Sequence, residues 1–404
     1  LTGFTQEFNQ ISLGAGYSEA VYFDLAEARS TPVTHDSWDI AFRTDRFDLG
    51  IFVNEAVGLS FTSSLPQVEL YLTNSSDFAS VDTLNMTRIY NDEVAWSAGA
   101  FNHVSDSDAP ADYGWGNYDF STHQVLGTRI FVIKPRNSIY KKLVIESLIS
   151  GVYTFKYANL DGSNEITETI NKADFPENTL AYYSFESEAV VDIEPTKWDL
   201  LFTRYTTPLQ AGESSTVQYI VTGALQNAGV KVAEVQGIDP STADFEDYAD
   251  NYSDTLNTIG YDWKTFQGAW SIPEDRVYFI KTQGKIWKVQ FIDFEGSSTG
   301  TITIEKTLVG EVTSTEELFA QSSTFQVYPN PATDHTHLVF DVLQPATKAR
   351  ISIYNQLGQL VQTQNIQVNQ GLNAMYLPLQ VSAGLYQVVL QLEGQQLTRT
   401  LFVQ

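Results

Sequence analysis

"AVYFDLAEARSTPVTHDSWDIAFR" (residues 20–43) and "LAYYSFESEAVVDIEPTKWDLLFTR" (residues 180–204) are two stretches of one chain that resemble each other. Tyr22 and Tyr182 each lie 16 residues before a Trp-Asp pair, and the two tyrosines are separated by 160 residues. A match of this length within one chain is typical of a repeated domain. The fold of the chain therefore depends on how these two stretches pair with the rest of the chain.

A second pair of stretches repeats in the same order. "TRIFVIKPRNSIYKKLVIES" (residues 128–147) resembles "DRVYFIKTQGKIWKVQFIDF" (residues 275–294) at an offset of 147 residues. Two ordered blocks at similar spacing predict two duplicated β-rich domains, which we place at residues 1–165 and 166–310.

The segments inside these blocks are short, rich in β-branched and aromatic residues, and separated by turn residues, as in β-strands. Aromatic residues make up 13% of the chain, which also favours strands. We predict a mainly β fold, a hairpin within each of the second blocks, and a short helix in the acidic stretch 239–257.

The composition changes near the end of the chain. After a predicted linker at residues 311–325, the chain becomes rich in Gln and Leu and shows a different strand rhythm. We predict a third domain at residues 326–404, folded as a small C-terminal β-sandwich.

Charge and residue usage exclude several classes of function. The net charge of −26 makes nucleic acids and anionic membrane surfaces poor partners. The chain has no cysteine, which excludes disulfides, thiolate catalysis and zinc–thiolate sites. No apolar stretch approaches the ~20 residues of a membrane span. Leu1 is not a start methionine, so we expect that a signal peptide has been removed.

Catalytic motifs are not found in the sequence. It lacks a Gly-x-Ser-x-Gly turn, a thiol nucleophile and a phosphate-binding loop, so we predict that the protein is not an enzyme. One loop is a candidate calcium site, because Asp106, Asp108 and Asp112 would offer hard oxygen ligands. The alternative is a solvated acidic turn.

Three motifs of the tail occur in a characteristic order. They are "VYPNPATD" (327–334), "ISIYNQLGQLV" (351–361) and "VSAGLYQVVL" (381–390). This tail resembles the type A C-terminal sorting domain of the type IX secretion system of Bacteroidota. The resemblance implies that residues 326–404 bind the type IX secretion machinery and that the protein is secreted or held at the outer cell surface.

The repeats carry a second resemblance. "SWDIAF" (37–42), "KWDLLF" (197–202) and "GWGNYDFSTHQVLGTRIFVIK" (114–134) are similar to the HmuY family of secreted β-rich proteins, which includes haemophores. The resemblance implies two HmuY-like domains in tandem. It also implies haem as a ligand, held between two His or Met side chains.

The resemblance implies haem ligands in the first domain, where His123, His103 and Met86 are the candidates. Residues 166–310 contain neither histidine nor methionine, so the second domain has none to offer. The alternative for His123 is a structural role at the start of a strand, because the 147-residue offset aligns it with Trp270.

Two triplets, Asp82-Thr83-Leu84 and Asp254-Thr255-Leu256, match the pattern at which Bacteroidota O-glycosylate their surface proteins. Thr83 and Thr255 are therefore candidate glycosylation sites. Taken together, we predict an exported, non-enzymatic binding protein with haem as the candidate ligand. The alternative is a structural or adhesive surface subunit that binds a partner protein and no small molecule.

Overall fold

The chain is described here by a computed structural model. The structure describes residues 6–46, 48–57, 68–106, 108–109, 111–119, 121–122, 124–212, 215–311, 325–328, 330–342, 348–368, 371–392 and 395–404.

The chain divides into two compact units, Leu1–Gly310 and Glu311–Gln404. The strands of the larger unit are β1 (Gln6–Ser12), β2 (Glu19–Asp24), β3 (Arg29–Thr34), β4 (Ile40–Arg43), β5 (Ile51–Val53), β6 (Glu69–Leu72), β7 (Thr87–Ile89), β8 (Gly116–Asp119), β9 (Gln124–Gly127), β10 (Ile130–Lys134), β11 (Lys141–Ile149), β12 (Val152–Asn159), β13 (Ile166–Asn171), β14 (Leu180–Ser184), β15 (Ala189–Val191), β16 (Leu200–Gln210), β17 (Thr216–Gln226), β18 (Lys231–Gln236), β19 (Thr265–Phe266), β20 (Trp270–Ser271), β21 (Arg276–Thr282), β22 (Lys285–Phe294) and β23 (Thr301–Glu311).

The helical segments of the described chain are short 3₁₀ turns. They are η1 (His35–Ser37), η2 (Ala100–Asn102), η3 (Lys172–Asp174), η4 (Phe245–Asn251) and η5 (Gly296–Ser298). The mainly β fold is therefore confirmed, and η4 is the short helix expected in the acidic stretch. None of the helices in the described ranges has the length and apolar character to cross a membrane.

The larger unit is built by an exchange of strands between its two halves, which we call the first half (β1–β12) and the second half (β13–β23). Strand β2 pairs with β16, and its equivalent β14 pairs with β4. The sheet orders are β3-β2-β16-β17 and β15-β14-β4-β5. The first hairpin of each half therefore pairs with strands of the other half.

The opening strand of each half is exchanged as well. β1 pairs with β23, the last strand of the second half, and β13 pairs with β12, the last strand of the first half. Within the halves, β10–β11 and β21–β22 form the two predicted hairpins. The domains predicted at 1–165 and 166–310 thus share their sheets and fold as one compact unit.

Two hydrophobic cores of the larger unit each contain side chains from both halves. One core packs side chains of β4, β10, β11 and β12 against residues lent by the second half, namely Ile170, Ala181, Tyr183 and Phe185. The other packs β18, β21, β22 and β23 against residues lent by the first half, namely Ile11, Val21, Phe23 and Leu25. Burial of these residues in the opposite half stabilises the exchange, since each buried large apolar side chain contributes about 1.5–3 kcal/mol.

Two aspartates hold the exchanged hairpins in equivalent ways. Asp199 accepts a hydrogen bond from the backbone N–H of Leu25 at 2.7 Å, and Asp39 accepts one from Phe185 at 2.8 Å. Both contacts follow the 160-residue offset seen in the sequence. The Trp-Asp pairs of the repeat are therefore attachment points for the turn of the opposite hairpin.

The smaller unit is formed by two antiparallel sheets around one core, in agreement with the predicted β-sandwich. Its strands are β24 (Phe325–Tyr328), β25 (His335–Val342), β26 (Lys348–Asn355), β27 (Leu360–Gln367), β28 (Gly371–Pro378), β29 (Gly384–Leu392) and β30 (Gln395–Val403). The predicted linker 311–325 lies, apart from its two end residues, outside the described residues.

Candidate functional site

A cleft lies between the two four-stranded sheets that the hairpin exchange creates. Its cavity volume is about 100 Å³, and it opens to solvent on one side. Six aromatic residues line it, namely Tyr22, Trp38, Phe52, Trp96, Tyr182 and Tyr205. We refer to this feature as the aromatic cleft.

The floor of the aromatic cleft is set by the repeated Tyr and Trp residues. The hydroxyl groups of Tyr22 and Tyr182 are hydrogen-bonded at 2.7 Å. The ring of Tyr22 meets Trp198 edge-on at 5.1 Å, and the ring of Tyr182 meets Trp38 edge-on at 5.0 Å. This aromatic arrangement is rigid, because each ring is held by an edge-to-face neighbour and by the exchanged hairpins.

Trp96 closes one side of the cleft from a loop of the first half. The Asn91 side chain fastens this loop to β5 by accepting the N–H of Val53 at 3.0 Å and donating to its carbonyl at 2.7 Å. The indole N–H of Trp96 then donates to the backbone carbonyl of Gln226 in the second half at 3.0 Å. Both halves are thus needed to form this wall.

The most unusual polar group of the cleft is the guanidinium of Arg204. The residue is 6% exposed, and its Nη2 donates to the backbone carbonyl of Ala56. Its Nε and Nη1 have no hydrogen-bond partner in the part of the chain that the structure describes. Burial lowers the pKa of Arg204 to about 10, so the group remains a cation at neutral pH.

Neighbouring titratable groups differ in charge. Burial, and then the charge of Arg204, lower the pKa of His35 to about 3, so its imidazole is neutral and its Nε2 has no described partner. Burial raises the pKa of Glu55 to about 7, although its carboxylate accepts the N–H of Asn91 at 2.9 Å. Glu93 accepts the hydroxyl of Thr207 at 2.7 Å through one oxygen.

The predicted haem ligands lie elsewhere in the first half. His103 is exposed at the end of η2, and Met86 is half-buried just before β7. His123 lies outside the described residues. Groups of three or more His, Cys, Asp or Glu side chains that would hold a metal ion are not found among the described residues.

The acidic loop predicted as a calcium site is held together by its own hydrogen bonds. Both carboxylate oxygens of Asp112 accept from Arg129, at 2.7 and 2.6 Å, and Asp112 also accepts the N–H of Asp106 at 3.1 Å. Asp106 in turn accepts the N–H of Asp108 at 2.9 Å. Asp112 therefore has a structural role as the partner of a guanidinium, and calcium at this loop stays a prediction.

The two candidate glycosylation triplets differ in accessibility. Leu84 is 91% exposed, whereas Leu256 is 2% exposed and its N–H donates to the carbonyl of Val94 at 2.8 Å. Thr83 and Thr255 are both half-buried. A modifying enzyme would reach the triplet of Thr83 more easily, and glycosylation at either site stays a prediction.

Sequence reasoning did not identify the aromatic cleft. Neither His35 nor Arg204 is among the candidate residues selected from the sequence. A signal was present, since Arg204 interrupts the strand "LLFTRYTTPLQ", and a charge within a buried strand usually has a specific partner.

By its fold, the chain is a mainly β protein in which a strand-exchanged unit precedes a small sandwich. Residues 326–404 match the family model of the secretion system C-terminal sorting domain, and residues 177–305 match that of the HmuY protein. The protein is thus a secreted surface protein of Bacteroidota that carries an HmuY domain and a type IX sorting domain.

Other comparisons add little. None of the curated proteins is similar enough to the chain to count as a match. The crystal structure of dimeric latent PorU from Porphyromonas gingivalis is similar over 98% of this chain and 34% of that chain, with 9% identity and a TM-score of 0.18. The chain spans about a third of that structure's length, and the likeness is too low to transfer a fold or a function.

The HmuY match falls on the half that lacks haem-type ligands. Residues 177–305 contain no histidine and no methionine. They do supply Tyr182, Arg204 and Tyr205 to the aromatic cleft. The matched region therefore contributes to the cleft even though it brings no side chain of the kind that the family resemblance implies for iron.

Proposed function

We propose that the protein is a non-enzymatic binding protein, and that the aromatic cleft holds a small molecule with an apolar or aromatic body. The observation that carries this proposal is a cleft lined by six aromatic residues and a buried guanidinium. Small-molecule sites are typically concave, mostly apolar and supplied with a few polar groups, and the aromatic cleft fits each of these criteria.

A binding role also fits the chemistry of the lining. Its hydroxyl groups belong to threonines and tyrosines, and its one histidine is neutral and buried. The sequence adds no thiol and no Gly-x-Ser-x-Gly turn. These features favour capture of a ligand over its chemical conversion.

The test is a titration of the full chain with Nile red, a neutral apolar dye whose emission rises in apolar surroundings. We expect saturable binding, which Trp96→Ala weakens by roughly tenfold or more because one wall of the cleft is lost. The matched control is Trp270→Ala, which removes an indole outside the cleft and should leave the affinity unchanged. An equal loss in both variants, or no saturable binding by the wild type, contradicts the proposal and favours a structural or adhesive subunit.

Haem capture through the first half is a second candidate function. It is supported by the resemblance of residues 114–134 to the HmuY family and by the exposure of His103. The experiment is a haem titration read by the Soret band. If haem is bound, His103→Ala, His123→Ala or Met86→Ala should shift the band, whereas His335→Ala in the sorting domain should not. A wild-type protein that leaves the Soret band of free haem unchanged contradicts this candidate.

A further inference from the structure

We infer that the ligand of the aromatic cleft carries a carboxylate, and that Arg204 is the residue that binds it. This inference rests on the proposed function, because it specifies the chemistry of the molecule that occupies the same cleft.

Arg204 is a buried cation with incomplete pairing. Only its Nη2 has a partner, the uncharged carbonyl of Ala56, and its Nε and Nη1 are buried without one among the described residues. Buried charges are normally paired with an opposite charge, because removal from water is otherwise strongly unfavourable. An anion that supplies acceptor oxygens would satisfy both the charge and the two free donors of Arg204.

Other shielded arginines of this chain are paired with a carboxylate. The guanidinium of Arg43 contacts Asp48 at 2.7 Å, and that of Arg136 contacts Asp39 at 3.1 Å. Arg276, whose side chain is 12% exposed, contacts Glu234 at 3.1 Å. Within the described ranges, no ion pair of this kind is made by Arg204, although it is as buried as the others.

Among the described titratable groups that line the cleft, Arg204 is the one that carries a positive charge. His35 is neutral, because burial lowers its pKa to about 3. Burial raises the pKa of Glu55 to about 7. The carboxyl group is therefore mostly protonated in mildly acidic solution and adds little negative charge. Asp92 and Glu93 are the remaining acids of the lining. One oxygen of Asp92 accepts the N–H of Val94 and one oxygen of Glu93 accepts the hydroxyl of Thr207, whereas the other oxygen of Glu93 is buried without a partner among the described residues.

A single cation beside an acid such as Glu93 favours a monovalent anion. A phosphate dianion would need further cations, whereas a carboxylate matches one guanidinium in charge and offers two oxygens to its donors. The aromatic walls then accommodate the apolar body of the same molecule. The class of ligand is an apolar or aromatic carboxylic acid.

The experiment compares 3-phenylpropionate with 3-phenylpropionamide, which has the same body without the charge, by calorimetric titration of the full chain at pH 6. The wild type should bind the acid roughly 10- to 100-fold more tightly than the amide, as expected for a charged hydrogen bond. Arg204→Gln should abolish this preference while Nile red still binds. Arg204→Lys should keep part of it, and the matched control Arg276→Gln should keep all of it.

Glu93→Gln should leave the acid bound at least as tightly, because a like charge is removed. Equal affinity of the wild type for acid and amide, with Nile red bound, overturns the inference and leaves the proposed function intact. Failure to bind Nile red overturns the proposed function itself. If Arg204→Gln does not fold, Arg204→Lys decides, and an unchanged preference for the acid after loss of the guanidinium geometry counts against Arg204.

Discussion

Tyr22 and Tyr182 meet through their hydroxyl groups where the exchanged hairpins come together, and both side chains are buried. Each hydroxyl removes the desolvation cost of the other. The pair therefore contributes to the association of the halves as well as to the floor of the aromatic cleft. Its energy belongs to the contact and not to either residue alone.

A double-mutant cycle measures that contact. We expect Tyr22→Phe to lower the free energy of unfolding by about 1–2 kcal/mol, because the hydroxyl of Tyr182 loses a buried partner. The double variant with Tyr182→Phe should cost less than the sum of the single variants. Urea unfolding of all four proteins checks this, and strictly additive losses would show that the hydroxyl groups are not coupled.

Glu55 predicts a pH dependence of stability. Burial raises its pKa from 4.5 to about 7, so the unfolded chain loses this proton at lower pH than the folded chain does. Its contribution to stability therefore falls as the pH rises from 4.5 to 7. Glu55→Gln cannot ionise and should be more stable than the wild type above pH 7, by up to about 3 kcal/mol, with no gain below pH 4.5. Urea unfolding across this range checks the prediction, and the exposed Glu177→Gln should show no such trend.

At the scale of elements, each exchanged hairpin is held by one aspartate, but the two attachments differ in charge. Asp39 forms a buried ion pair with Arg136, whereas Asp199 accepts the hydroxyl of Thr282 at 2.6 Å. The 147-residue offset places Gln283 where the first half has Arg136. The same hairpin turn is thus fixed by a charged contact on one side and by neutral donors on the other.

This difference predicts unequal losses. Asp39→Asn leaves the buried guanidinium of Arg136 with the exposed Glu186, at 3.5 Å, as its remaining carboxylate and should cost about 3–5 kcal/mol. Asp199→Asn leaves no buried charge without a partner. It should therefore lower the free energy of unfolding by less, about 1–2 kcal/mol. Thermal and urea unfolding measure both, and equal losses would contradict the assigned role of the Arg136 charge.

The sequence predicted the elements better than their partners. Alternation and aromatic content located hairpins such as β10–β11 and β21–β22, because these features depend on neighbouring residues. The pairing of β2 with β16 could not be predicted in this way, since either half offers a strand of the same pattern. The aromatic cleft was missed for the same reason, because its lining comes from both halves.

At the scale of the whole molecule, the larger unit is one folding unit rather than two domains in series. We therefore expect residues 1–165 and 166–310, expressed separately, to lack a stable monomeric state, since each lacks the strands that complete its sheets. When co-expressed, they should associate one to one and recover a cooperative thermal transition. Light scattering and circular dichroism measure both properties, and two separately stable monomers would contradict the exchange.

The pairing of β1 with β23 has a consequence for the order in which the larger unit can fold. Lys306 forms an ion pair with Glu7 at 2.6 Å, and the two residues are 299 positions apart in the chain. A chain made from its N-terminus exposes β1 long before β23 exists, so this sheet edge cannot close during most of synthesis. The last strand of the larger unit lies shortly before the sorting domain. The larger unit therefore cannot complete this sheet until nearly all of the chain that precedes the sorting domain is present.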